Sequence, residues 1–190
     1  MKPFNISIAP TDLIVLASFA GEDQTRPQLA GVWFECWKEY STIAVATNGP
    51  ALIACHFPDQ YFGGPPVFVP LWAIEQALKL RSFTDMTLSE ASIWVSGSNI
   101  NFELQKDLIM PNWRVAIQQK GMPLERTFST KVLDKITHAA RRLKATIHFP
   151  TLGEGMPTHV RFGHNPRWLA VIMPLGTTPT TATQEQLWAK

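Results

Sequence analysis

The side chains that come closest to a reactive cluster are three histidines, His148, His159 and His164. Three histidines close in sequence could suggest a metal. Zinc ligands, however, come in short, regular spacings, usually with cysteine, and these histidines fit no such pattern and have no cysteine near them. They read as polar strand or loop residues, and no metal or cofactor is expected. Gly153-Glu154-Gly155 is a turn, because it lacks the Lys and Ser/Thr that a phosphate loop requires. No pair of carboxylates stands out as acid and base, so the chain is not expected to be an enzyme. The one ordered charge pattern lies over residues 130–143. At about 100° per residue, Lys131, Lys135, His138 and Arg142 fall in a narrow stripe. Val132, Ile136, Ala139 and Leu143 form a separate apolar face. A helix of this kind packs on a sheet and turns positive charge outward, either as a solvated face or as a surface that attracts a polyanion.

The bulk properties suit a globular chain. Its 190 residues can build one or two cores, and the 45% hydrophobic and 17% charged shares exclude a disordered protein. No apolar run reaches the roughly 20 residues of a membrane helix, and the opening MKPFNISIAP does not read as a secretory signal. Cys36 and Cys55 sit in apolar, strand-like stretches and read as reduced thiols of a cytoplasmic protein. A net charge of +2 is too small to announce nucleic-acid binding, so any such role needs the charge to be concentrated somewhere.

The elements that must position the basic stripe follow one plan three times over: a short strand, an amphipathic helix, then alternating strands. The first unit opens with a strand at Phe4–Ile8. A helix follows at about Asp12–Ala20, capped by Thr11 or Asp12 and stopped by Gly21. Strands are expected at Ala30–Trp37, Thr42–Thr47 and Ala51–His56, with Asn48-Gly49 as a turn, before a Gly/Pro loop from Pro58 to Pro66. The second unit has Val67-Phe68-Val69, then a helix entered through Pro70 and running to Leu80, with Leu71, Ile74 and Leu78 on one face. Its strands are expected at Met86–Leu88, Ala91–Ser96, Asn99–Leu104 and near Arg114–Ile117. The third unit starts near Arg126-Thr127-Phe128-Ser129. Its helix spans Thr130–Leu143, and its strands lie at Thr146–Phe149, His159–Phe162 and Trp168–Met173. From Gly176 onward the chain is polar and Thr-rich. Alternating strands joined by tight turns predict antiparallel sheets with helices on one face, an α+β architecture.

Five strings, in order over residues 4 to 175, resemble the bacterial sliding clamp, the beta subunit of DNA polymerase III. Leu29-Ala30-Gly31-Val32-Trp33-Phe34-Glu35 resembles a strand of that family's second domain, and 45–53 resembles its ATDGHRLAV segment. Val67-Phe68-Val69-Pro70 resembles the strand leading into its next helix. Met110-Pro111-Asn112-Trp113-Arg114 resembles its FPDYR segment, and Val171-Ile172-Met173-Pro174-Leu175 its C-terminal VVMPM. The chain departs from the family in length, being half that of a normal clamp, and in the ATDGHR segment, where Asn48, Pro50 and Ala51 replace Asp, His and Arg.

The resemblance implies a clamp fold of three units, one and a half clamp domains. Residues 1–120 would form a complete domain, 121–176 a half-domain unit, and 177–190 a flexible tail. It implies a non-catalytic processivity factor that encircles double-stranded DNA and tethers a DNA polymerase or other clamp-binding proteins. Lys131, Lys135, His138 and Arg142 would then meet the DNA backbone without reading sequence. The first helix, with Asp12 and no basic residue, and the second, with Trp72, Glu75, Gln76 and Lys79, weaken that implication. By position, the pocket for partner peptides would involve Leu29, Thr47, Gly49, Leu52, Val171 and Met173. In the tail, Gln184, Leu187 and Trp188 resemble the clamp-binding peptide itself. Twelve units make a clamp ring, so four copies of a three-unit chain would supply one. Two copies would pair their third units, and two such dimers would join through their first-unit edges. The competing expectation is that the third unit packs on its own chain, leaving an interaction protein that binds clamp clients or a full-length clamp without encircling DNA.

Overall fold

The structure, a computed structural model, describes residues 6–23, 25–36, 41–60, 64–80, 83–88, 92–95, 101–103, 107–115, 128–149 and 157–174. Eleven strands and three α-helices are placed among them. β1 (Ile6–Ile8) leads into α1 (Pro10–Ala17). A short 3-10 turn, Pro27–Leu29, precedes β2 (Gly31–Cys36), β3 (Thr42–Thr47) and β4 (Ala51–Phe57). β5 (Val67–Pro70) leads into α2 (Leu71–Leu78), which is followed by β6 (Met86–Leu88), β7 (Ser92–Val95) and β8 (Asn101–Glu103). α3 (Thr130–Leu143) is followed by β9 (Ile147–His148), β10 (Thr158–Phe162) and β11 (Trp168–Ile172).

The strands form two antiparallel sheets, and the first strand of each of the first two units crosses into the other unit's sheet. β1 pairs with β6, giving the order β1-β6-β7-β8. β5 pairs with β2 in the order β5-β2-β3-β4-β11-β10-β9. Gly31 makes the second crossing possible. A Cβ there would lie 2.3 Å from the Val69 carbonyl oxygen and 2.6 Å from the Phe68 ring. Only a residue without a side chain lets the two strands approach this closely.

The larger sheet is continuous because β4 pairs with β11 over five residues, from Trp168 opposite Cys55 to Ile172 opposite Ala51. The third unit therefore docks on the first unit of its own chain, and β11 occupies the β4 edge. That overturns the expected junction through first-unit edges, since the edge is already paired. The dock is reinforced by Arg167, whose guanidinium lies 3.0 Å from the Asp12 carboxylate and over the Phe57 ring.

Residues alternate across this sheet. Val32, Phe34, Ala44, Ile53, Cys55, Val160, Phe162, Trp168, Ala170 and Ile172 join the helix-side core with Leu13, Leu16, Ile74, Val132 and Ile136. On the opposite face Ile43, Val45, Leu52, Ala54 and Val171 form a second cluster capped by Trp113. Arg114 and Val115 are helical rather than extended, correcting the strand expected there. The Trp113 N–H bonds the Pro111 carbonyl oxygen at 2.8 Å in a turn that lays the segment across the sheet face instead of along an edge.

Candidate functional site

α3 is built by its period. Val132, Ile136, Ala139 and Ala140 are buried, and Leu143 packs against the same core. The helix stops at Lys144, which takes a left-handed conformation (φ 50°), so the C-terminal turn closes without glycine. Of the four stripe residues, Lys131, His138 and Arg142 are exposed. Lys135 is half-buried and donates to the Ser18 carbonyl oxygen, at the negative end of α1. Desolvation holds its pKa below the ordinary lysine value, opposed by the nearby Glu22 carboxylate. Lys135 thus ties α3 to α1, and its ammonium does not stand free with the other three. Arg141 and Lys144 are also exposed at the same helix end, and the single-stripe reading left both out. Their signal in the sequence is their place in the last turn, where cations complement the helix dipole.

α1 packs against both α2 and α3, so three helices cover one side of the sheets. Their charge is uneven. α1 engages Asp12 with Arg167 and is followed by exposed Glu22 and Asp23. α2 exposes Trp72, Glu75, Gln76 and Lys79. Positive charge on the helix side is therefore concentrated at α3.

The residues of the expected peptide pocket gather at one end of the larger sheet. Thr47 pairs with Leu52 across the β3–β4 turn, and Leu52 pairs with Val171. The Met173 N–H donates to the Pro50 carbonyl oxygen at 2.8 Å. Thr47 Oγ1 accepts from the Gly49 N–H at 3.1 Å, and Asn48 Oδ1 accepts from the Ala51 N–H at 3.0 Å. Gly49 has φ 97°, the left-handed conformation this turn requires. Leu29 stands beside the same turn. Its carbonyl accepts the Gly21 N–H at 2.7 Å, and Gly21 lies close to both Leu29 and the Asn48 backbone. Leu52 and Val171 are buried in the cluster with Trp113 and the half-buried Met110. Gly49 and Met173 are exposed, and Thr47 and Leu29 are partly so. Leu52 and Val171 thus make a floor, with the other four residues around it.

Trp113 and Met110 pack in the same cluster as Leu52 and Val171 and are not among the residues expected there from the sequence. Trp113 is held by Glu35, a buried carboxylate that accepts from its indole N–H at 2.5 Å and from Arg114 at 3.0 Å. The Arg114 guanidinium also lies 4.8 Å from the Trp113 ring centroid.

His148 and His164 are exposed and line a cleft of about 540 Å³ with Phe149, Arg161 and Gly163, while His159 is half-buried. Among the described residues, no three His, Cys, Asp or Glu side chains gather as metal ligands. Cys55 is a buried thiol and Cys36 is half-buried, and no described helix is long and apolar enough to cross a membrane. Gly153-Glu154-Gly155 and the tail residues Gln184, Leu187 and Trp188 lie outside the described residues.

No family model matches the chain, and no curated protein does. Solved structures do. A Caulobacter crescentus beta sliding clamp superposes with a TM-score of 0.72 over 93% of this chain at 16% identity. A DNA polymerase sliding clamp from Pseudomonas aeruginosa gives 0.67 over 92% at 15%, and the DNA polymerase III beta subunit of Thermotoga maritima 0.67 over 92% at 11%. In each case the chain spans 66% of the length of the clamp it matches. The α+β architecture read from the sequence is therefore the DNA clamp fold, at about two-thirds of a clamp subunit.

Proposed function

We propose that this protein is a non-catalytic, sliding-clamp-like processivity factor, assembling from several copies into a ring around duplex DNA and tethering a DNA polymerase or repair enzyme. The observation that carries the reading is the continuous β4–β11 junction with α1, α2 and α3 packed together on one side. That arrangement makes an arc of sheet outside and helices inside. In this reading residues 1–120 are a complete clamp domain and 121–176 a half-domain.

Lys131, His138 and Arg142, joined by Arg141, are the DNA-facing groups. They act on phosphates as point charges, so binding is indifferent to sequence and weakens steeply with salt. The floor of Leu52 and Val171, rimmed by Leu29, Thr47, Gly49 and Met173, takes a short apolar peptide of the client. Ring closure by four copies uses two of the four outer strands that carry no further partner among the described residues, β8 in the smaller sheet and β9 in the larger.

The acidic residues around α1 and the mixed face of α2 favour a second reading, in which the protein binds clamp clients or a full-length clamp without enclosing DNA. Retention on DNA separates the two. Protein assembled on a closed circle and then challenged with salt is expected to stay, and to be lost once the circle is linearised. Equal loss from circle and linear DNA would remove the ring and leave the client-binding reading.

A further inference from the structure

We infer that the cationic cleft around Arg161, His148 and His164 is a binding site for a single nucleic-acid strand, with phosphates on these three side chains and a base on Phe149. The inference goes beyond the ring reading, since Arg161 and His148 stand on the sheet face turned away from the helices and engage a strand whether or not a ring forms.

The register brings the charges together. Val160 and Phe162 join the helix-side core, so Arg161 between them projects from the opposite face. His148 lies directly across from Arg161 in the β9–β10 pair, and opposed residues of an antiparallel pair share a face, about 4.5–5.5 Å apart. Thr146, two residues before His148, holds its ring through a 3.1 Å hydrogen bond between Oγ1 and Nε2. His164 stands in the β10–β11 turn. Gly163, with φ 50°, sets that turn against the end of α3, since a Cβ there would lie 3.1 Å from Thr146 Oγ1.

The surroundings select an anion. Two adjoining hollows, of about 540 and 420 Å³, share Arg161, Gly163 and His164. Among the described residues, no carboxylate lines either one. Arg114 and Arg167 are held by Glu35 and Asp12 and serve the fold, whereas Arg161 opens into the hollows. Each volume is in the range that small ligands occupy.

Three features favour a nucleic-acid strand over a lone anion. Phe149 lines the larger hollow and is 46% exposed, and every base has a face that stacks on such a ring. Two hollows flanking the same Arg161 and His164 suit successive nucleotides rather than one phosphate. The approach is basic as well. Arg141, Arg142 and Lys144 are exposed at the end of α3, and Lys144 is two residues from Thr146. A strand with its phosphates on that helix end has an unbroken run of cations to follow over the rim of the sheet into the cleft.

The test is fluorescence anisotropy of a short labelled oligothymidylate, with a blunt duplex of equal length and inorganic phosphate as comparison ligands. Arg161→Gln with His164→Gln is expected to weaken oligothymidylate binding about ten-fold or more. Phe149→Ala should weaken it about five-fold or more and leave phosphate and duplex binding as they were. Arg26→Gln, an exposed cation away from the cleft, should change none of the three. In the unsubstituted protein, the imidazole NMR signals of His148 and His164 should move on adding oligothymidylate, while that of half-buried His56 stays in place. Unchanged oligothymidylate binding in the double variant overturns the proposal, as do ring signals of His148 and His164 that do not move. Phosphate binding with no loss of oligothymidylate in Phe149→Ala reduces the cleft to a plain anion site and overturns it too. So does a Phe149→Ala protein that loses duplex and single strand alike. The circular-DNA experiment fails or succeeds independently, because it reads enclosure and not this cleft.

Discussion

Gly31→Ala tests the strand exchange at its tightest point. The added methyl group would sit 2.3 Å from the Val69 carbonyl oxygen and 2.6 Å from the Phe68 ring, where ordinary carbon contacts are about 3.5 Å or more. The phenyl ring is itself packed on Trp33, with centroids 5.0 Å apart, and the carbonyl belongs to the β5 backbone. Relief therefore requires β5 to draw away from β2 by roughly an ångström, since no flexible side-chain end can yield instead. Overpacking of this kind costs about 1–3 kcal/mol, and loosening one or two ladder hydrogen bonds adds about 1 kcal/mol. A total of about 2–4 kcal/mol, with a urea dependence of about 2 kcal/mol per molar, lowers the unfolding midpoint by roughly 1–2 M. Gly64→Ala is the control, because nothing lies within 4 Å of a Cβ there, and it should move stability by less than about 0.5 kcal/mol. A Gly31→Ala protein with the midpoint of the Gly64→Ala control would refute the close approach, and with it the register of β2 against β5.

Trp113→Phe removes a donor from the buried Glu35 carboxylate and is expected to cost about 1.5–3 kcal/mol in urea unfolding. Lys135→Met should change the pH dependence of stability. The folded-state pKa is lowered, so the unfolded chain holds more protons between that pKa and 10.5, and stability rises with pH across this window in the unsubstituted protein. The rise should be absent in Lys135→Met, as followed by denaturant titrations at alkaline pH. Burial, reinforced by the Asp12 carboxylate, pushes the Cys55 thiol far up, so a thiol reagent at neutral pH should label half-buried Cys36 first and Cys55 only on unfolding. Lys131→Glu with Arg142→Glu should weaken DNA binding for every sequence alike and reduce the salt slope by about 0.9 for each phosphate that is no longer neutralised.

Local pattern carried most of the element assignment. The period of α3 is in the sequence, and its observed span coincides with the expected Thr130–Leu143. α1 begins at Pro10 rather than Asp12, with Ala9 before it, and Asp12, inside the helix, is engaged by Arg167 from far along the chain. Such a partner has no local signature. The same limit hid the β4–β11 pairing and the crossing of β1 and β5, since alternation says which face a residue takes but not which strand lies beside it. At the site, the stripe on α3 was legible, yet the withdrawal of Lys135 onto Ser18 depends on where α1 ends relative to α3. The six residues expected around a peptide pocket were named by resemblance alone, and the structure places them near one turn. Trp113 and Met110 escaped because a helical turn lies where a strand was expected.

The crossing of lead strands also governs the order in which the chain can be finished as it is made. Ile6 cannot meet Leu88 until some eighty further residues have been synthesised, which at about 5–20 residues per second leaves β1 waiting about 4–16 s. Cys55 waits longer still for Trp168, the first residue of β11. Until β11 arrives, β4 presents an unpaired edge in the middle of an apolar sheet, the kind of surface on which nascent chains stick to one another. Local helices can form early, but neither sheet closes until long after its first strand is made, so this fold is completed from its far end backward.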